Sequence, residues 1–220
     1  MSGKKDKNIK KNPKKISQEL VERVGKLSTS LISDGMENSR TMNYLIKPIK
    51  GGMKVLGTAL TVKVKPGDNL YLHKAIYEAE EGYVLVMENG ENRQAAVWGE
   101  MMSRGALAVG LSGVVLEGCV RDLSDIKELG LPIFAAGAIP KRPTVDGPGS
   151  INTDIYCGGV DVHPGDLIFG DDDGVVVVSP EELEEVLKKA EAKVAREGDR
   201  IKELEEGKLV PDWVNKIGGK

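Results

Sequence analysis

Along the 220 residues the spacing of apolar positions changes period several times. Ile16, Leu20, Val24 and Leu27 recur at helical spacing around Ser17, a residue type suited to an N-cap, which predicts a first helix. "TSLISDGM" predicts a second short helix or turn. The period then falls to two. Leu60, Val62 and Val64 alternate with Thr61, Lys63 and Lys65 before a Pro-Gly-Asp turn, which predicts a half-buried strand. Residues 69–81 predict a helix with Leu72, Ile76 and Ala79 on one face, "YVLVME" a buried strand and "QAAVW" a short one. After a break at Gly99, "EMMSRGALAV" predicts a helix. "GVVLEG", "LSDIKELG" and "PIFAAG" continue as strand, short helix closed by Gly130, and strand. This alternation from 55 to 137 is the pattern of an α/β sheet with crossover helices.

Beyond it, "KRPTVDGPGSINTD" predicts a loop, and "GVDVHPGDLIFGDDDGVVVVS" predicts three strands joined by "PGD" and "DDDG" turns. An acidic turn between two strands reads as a hairpin rather than a calcium loop, because the remaining ligands of such a loop are missing. Ser179-Pro180-Glu181-Glu182 has the form of a capping box with Pro at the first helical position. Leu183, Val186, Leu187, Ala190, Val194, Ile201 and Leu204 then mark one stripe of a long helix, either packed on its own sheet or reaching a second subunit.

Composition narrows the classes. With 40% hydrophobic and 30% charged residues, one core forms without disulfides or a structural metal. Residues 1–15 hold seven Lys and one Asp, a net of +6, so with −3 overall the rest of the chain carries −9. That predicts a disordered basic tail over 1–15, a single domain over 16–210 and a C-terminal tail over 211–220. An acidic body argues against a nucleic-acid face, and the chain has neither a signal-peptide pattern nor a run long enough to span a membrane, so a cytoplasmic protein without membrane partners is expected. Cys119 and Cys157 lack metal-ligand spacing and read as core residues. His73, in a helix pattern, and His163, in a turn, carry no catalytic signature, so the chemistry is expected to rest on carboxylates, Arg and backbone amides.

The candidate chemistry lies at two strand-to-helix junctions. Gly99-Glu100 opens one helix and Arg121-Asp122 the next, with twenty residues between Glu100 and Arg121, enough for one helix and one strand. Consecutive strands of crossover units tend to lie side by side, so both junctions should open at one sheet edge. Asp122 could simply cap the helix after it while Arg121 faces solvent. Alternatively, free N–H groups of Gly99, Glu100, Met101 and Met102 suit a substrate carboxylate, Arg121 can hold an oxyanion, and Asp122 with Glu100 offers hard oxygens to Mg2+.

The GE, twenty residues and RD, followed by Asp125, resemble the signature of the family that joins 4-hydroxy-4-methyl-2-oxoglutarate/4-carboxy-4-hydroxy-2-oxoadipate aldolases to the RraA-type regulators of ribonuclease E. "TSLISDGM", "GTALTVKVKPGDNLYLHKAI", "VLEGCVRD", "PIFAAG" and "PGDLIFGDDDGVVVVS" extend the resemblance over most of the chain. It implies an RraA-like β/β/α layered fold, related to swivelling phosphohistidine-type domains, assembled as a homotrimer or homohexamer. It further implies Mg2+ or Mn2+ held by Asp122, with Glu100 acting through water, a keto group bound by Arg121, and a pyruvate carboxylate on the amides of residues 99–102. Glu197 is expected either to reach a neighbouring subunit's metal waters or to be a solvated helix position, and Asp34 to be a pocket wall or a helix cap. Arg93 or Asn92, in "NGENRQ", could meet the distal end of a small keto-acid substrate.

The implied activity is aldol cleavage of 4-hydroxy-2-oxo acids to pyruvate, with oxaloacetate decarboxylation as a second outcome because both pass through the same enolate. The alternative is a regulator that binds and inhibits a ribonuclease. Regulators tend to lack the acid at the position of Glu100, so its presence favours the enzyme. A phosphohistidine carrier finds no suitable His loop, and a methyltransferase finds no Gly-rich loop for S-adenosylmethionine.

Overall fold

A computed structural model describes residues 6–211, 213 and 214. The elements in chain order are α1 (Gln18–Gly25), α2 (Thr29–Gly35), β1 (Lys47–Pro48), β2 (Val55–Val64), α3 (Leu70–Glu78), β3 (Tyr83–Glu88), β4 (Ala96–Trp98), α4 (Glu100–Ala108), β5 (Gly113–Val120), α5 (Leu123–Glu128), β6 (Ile133–Ala138), β7 (Gly149–Ile151), β8 (Ile155–Cys157), β9 (Val160–Val162), β10 (Leu167–Asp171), β11 (Gly174–Val178) and α6 (Leu183–Glu205).

The main sheet runs β1-β6-β5-β3-β2-β10-β11, with β4 beside β5 and β7 beside β2. Its centre, β6-β5-β3-β2, is parallel, as crossover helices require, and the flanking pairs are antiparallel. Residues 40–48 nearly close it. They bond to β11 at their start, through Val177 N to Arg40 O and Met42 N to Val175 O, both 2.9 Å, and pair with β6 at their end.

Side chains of alternate parity fill three cores. Val84, Val86, Val115, Phe134, Ile168, Val175 and Val177 meet inside the curled sheet. Leu85, Met87, Val114 and Leu116 pack outward beneath α3, α4 and α5. Leu167, Phe169, Val176 and Val178 pack outward under α1, α2 and α6. β2 is therefore buried on both faces, not half-buried as its alternation predicts. Thr61 is fully enclosed, its hydroxyl donating to Thr153 O at 2.6 Å, and Lys63 escapes by pairing with Glu88.

Other expectations change for identifiable reasons. The segment 141–154 is not all loop: β7 pairs antiparallel with β2. Residues 6–15 are not a free arm. Ile9 bridges to Ile151, Lys10 N donates to Ile151 O at 3.2 Å, Asn152 binds Lys10 O and Asn12, and Ile16 N reaches the Thr58 hydroxyl at 2.9 Å. Residues 1–5 and most of the expected C-terminal tail lie outside the described residues. Ser17 caps α1 as expected, but the Ser179 hydroxyl donates to the Glu182 carboxylate at 2.6 Å rather than capping α6 in the box form. The α6 stripe divides along its length. Leu183, Val186, Leu187 and Ala190 are buried, whereas Val194, Ile201 and Leu204 face outward beyond the body. Asp34 pairs with Lys193 and so ties α2 to α6; it is neither a cap nor a pocket wall. No helix among the described residues is long and apolar enough to cross a membrane.

Candidate active site

Three parallel strand ends lie side by side, because Trp98 is in register with Val120 and Val120 with Ala138. Arg121 N donates to Trp98 O and Ile139 N to Val120 O, both at 2.9 Å, carrying the pairing one residue past the strands. The residues that follow, Gly99-Glu100, Arg121-Asp122 and Ile139-Pro140, are thereby placed along one edge at the carboxyl ends of the strands. In α/β sheets this is where ligands bind. The two predicted junctions do meet.

Their meeting is close. Asp122 Oδ2 accepts the Glu100 N–H at 3.2 Å and lies 3.7 Å from Arg121 Nε. Asp122 stands at the N-cap position of α5 but makes no side-chain cap there. Its backbone is left-handed, φ 56° and ψ 40°, a conformation Asp tolerates better than most residues at a cost of order 1 kcal/mol. That turn sends the carboxylate across to the start of α4, the neighbouring helix. Gly99 makes the approach feasible: a Cβ there would sit 2.6 Å from Asp122 Oδ2 and 3.2 Å from Arg121 Cγ. The simple capping reading of Asp122 is thus corrected, since it caps the other helix.

At α4, Gly99 supplies no side-chain cap and Asp122 takes the Glu100 N–H. Helix geometry leaves the Met101 and Met102 N–H groups without intrahelical acceptors. The helix start is pinned from beneath, where buried Trp98 donates from Nε1 to Ser103 Oγ at 2.8 Å and that hydroxyl donates to Gly99 O at 3.0 Å. A cavity of about 100 Å³ opens here, lined by Gly99, Glu100, Met101, Met102, Arg121 and Asp122 together with Asn69, His73, Trp98 and Pro143. Glu100 contributes its backbone and an indirectly placed carboxylate. Its Oε1 accepts from Arg104 Nη2 and Nε, at 2.7 and 2.9 Å, one turn along the helix.

The sequence pattern passed over Asn69 and His73, which stand one helical turn apart on α3 or at its cap. Asn69 Oδ1 is buried without a hydrogen-bond partner among the described residues. Burial lowers the His73 pKa and so favours the neutral imidazole. Their spacing of four was the available signal. Glu197 does not reach this cavity in its own chain; it sits on the outer part of α6, 3.5 Å from Lys193. Arg93 and Asn92 do not line it either, and Asn92 lies instead against Gly67.

A divalent cation fits the donor chemistry in one way. Asp122 Oδ1 has no hydrogen-bond donor among the described residues, and no cluster of three or more His, Cys, Asp or Glu that could hold a metal occurs among them. One carboxylate with room for water is a setting Mg2+ accepts, since it usually keeps several waters.

Comparison with known proteins gives consistent results. Residues 29–177 match a family profile described as Aldolase/RraA. A Halalkalibacterium halodurans protein provisionally named 4-hydroxy-4-methyl-2-oxoglutarate aldolase is 40% identical over 77% of this chain and 80% of its own. A Thermus thermophilus protein named 4-hydroxy-4-methyl-2-oxoglutarate aldolase is 29% identical over 68% of this chain and 91% of its own. Among solved structures, Streptomyces coelicolor RraAS2, described as an unusual member of the RNase ES inhibitor RraA family, superposes with a TM-score of 0.75 at 27% identity, over 86% of this chain and 98% of that one.

Proposed function

From the premise that the chain belongs to the RraA-like family, we propose that it is a divalent-metal-dependent aldolase that cleaves 4-hydroxy-2-oxo acids to pyruvate and also decarboxylates oxaloacetate. The observation that carries the reading is the convergence of the Arg121 guanidinium, the Asp122 carboxylate and the open start of α4 on shared space. The Met101 and Met102 N–H groups bind the C1 carboxylate of the substrate, which the helix dipole favours. Arg121 binds the 2-keto oxygen and stabilises the negative charge that gathers there as the C3–C4 bond breaks.

Asp122, assisted by Glu100 through water, is the residue to hold Mg2+ or Mn2+. A bound cation supplies Lewis acidity to the keto oxygen. Glu100 accepts the C4 hydroxyl proton through an intervening water, a transfer typically worth about 10²- to 10⁴-fold. One proton leaves that hydroxyl and one is delivered to C3, so cleavage is redox-neutral. Loss of CO2 from oxaloacetate leaves the same enolate at the same groups. Glu197 belongs to this scheme as a contribution from an adjacent copy in a homotrimer or homohexamer, a view supported by the outward-facing Val194, Ile201 and Leu204.

Inhibition of a ribonuclease is the second reading, favoured by the description of the Streptomyces coelicolor neighbour as a member of an RNase inhibitor family. Oxaloacetate decarboxylation separates the two. Purified protein with Mg2+ or Mn2+ should exceed the rate of the free ion, EDTA should abolish the excess, and added metal should restore it. Activity that survives thorough chelation would remove the metal from the scheme, and no excess over the free ion would leave the regulator.

A further inference from the structure

α3 meets the site along one face. Asn69 stands at its N-cap position without capping it, because Asp68 takes that part by accepting the Leu70 N–H at 2.9 Å. The Asn69 amide is left for the site: Nδ2 donates to Val97 O at 3.3 Å and meets Met102 Sδ at 3.5 Å. Further along, a Cβ on Gly105 would lie 3.5 Å from Ile76 Cγ2. α3 therefore runs alongside α4, its start beside the turn that presents the Met101 and Met102 amides. His73 shares the face of Asn69 one turn on, its main-chain N–H bonded to Asn69 O at 3.1 Å. Its half-buried ring lines the small cavity and makes no hydrogen bond or ion pair among the described residues.

The cavity is small, about 100 Å³, so a group on its wall is within reach of a pyruvyl unit held by the amides and Arg121, directly or through one water. On the aldolase reading, on which this inference rests, cleavage leaves an enolate that needs a proton at C3. We propose that His73 is the catalytic residue that delivers it. The proton that leaves the C4 hydroxyl reaches the ring through water. The imidazolium N–H bond then breaks as the enolate electron pair forms the C3–H bond, and the ring ends neutral, so protons balance over the turnover. Burial disfavours the charged ring, which makes the imidazolium a stronger acid and favours the hand-over. Loss of CO2 from oxaloacetate, by contrast, breaks its bond without a proton acceptor, so the two reactions depend on His73 to different degrees.

The test uses the full chain with Mg2+ or Mn2+ and follows exchange of the pyruvate methyl protons in D2O by NMR, which requires proton transfer at C3 but no cleavage of a C–C bond. Oxaloacetate decarboxylation by the parent first establishes the enolate; its absence defeats the aldolase reading and this inference with it. Given that activity, the parent should exchange, and His73→Gln should exchange about 10²-fold more slowly while decarboxylation falls at most about threefold. Imidazole added to His73→Ala should restore exchange, a recovery that a misfolded variant would not show. Decarboxylation without exchange in the parent, exchange in His73→Gln within about threefold of the parent, or equal losses of both activities that imidazole does not relieve would each overturn the inference while leaving the aldolase. So would loss of exchange confined to Glu197→Gln, which would put the proton carrier on the adjacent copy.

Discussion

Replacing Gly99 with Ala tests the site at the point where it is most crowded. The Gly99 backbone is extended, with φ −164°, so alanine adopts it without strain. The added Cβ, however, would lie 2.6 Å from Asp122 Oδ2, 3.2 Å from Arg121 Cγ and 3.4 Å from Arg121 Nε. Comfortable heavy-atom contacts begin at about 3.5 Å, so the carboxylate must retreat by roughly 0.5 to 1 Å. That movement breaks the 3.2 Å bond from the Glu100 N–H. Losing one charge-assisted bond at a half-exposed helix start costs about 1 kcal/mol of stability, a fall of roughly 2–4 °C in Tm for a chain of this size. The effect on chemistry is larger, because a displacement near 1 Å in a reacting constellation costs about 10²-fold. Gly99→Ala should therefore melt close to the parent, decarboxylate oxaloacetate about 100-fold more slowly and bind Mn2+ more weakly by titration. Parental turnover together with parental Mn2+ affinity would refute the argument that the Gly99–Asp122 approach organises the site.

Arg121→Lys keeps the charge but not the planar fork, and kcat for oxaloacetate should fall about 10²-fold with little change in Tm; a near-parental kcat would make Arg121 structural. Hydrogen bonds from Lys74 and Tyr71, both at 2.8 Å, hold the Asp6 carboxyl at about 2 against an ordinary 3.8. A depressed folded value means the contribution is complete above pH 3.8 and is lost as pH falls towards 2. Hydrogen exchange at Lys10, corrected for intrinsic rates, should show protection at pH 5 that fades across that window before the β2–β3 amides open, and Asp6→Asn should lack it at pH 5. Identical protection in both proteins would mean Asp6 does not fasten the segment.

Much of the sheet was legible because each element from α3 to β6 carries its own periodic signal, and the candidate site was legible because two strand-to-helix seams held charged residues with twenty residues between them. What escaped depended on partners distant in the chain. Residues 6–15 read as a solvated basic arm, yet their anchors are Tyr83, Ile151 and Asn152. β7 and β8 have three residues each, too few to show a period. The alternation in β2 foretold one wet face, but Thr61 on that face is covered by residue 153. The direction of the Asp122 side chain is set by a left-handed backbone that its residue type allows but does not demand. His73 and Asn69 were hidden for a different reason. A helix pattern says which face is covered, not what covers it.

The bond from Arg121 N to Trp98 O has a mechanical meaning. It couples the last peptide of β4 to the first residue beyond β5, so a fluctuation that lifts one strand terminus drags the other along. The Arg121 guanidinium and the open start of α4 are thereby tied to one hydrogen-bonded edge, so a substitution that loosens either strand end would disturb both.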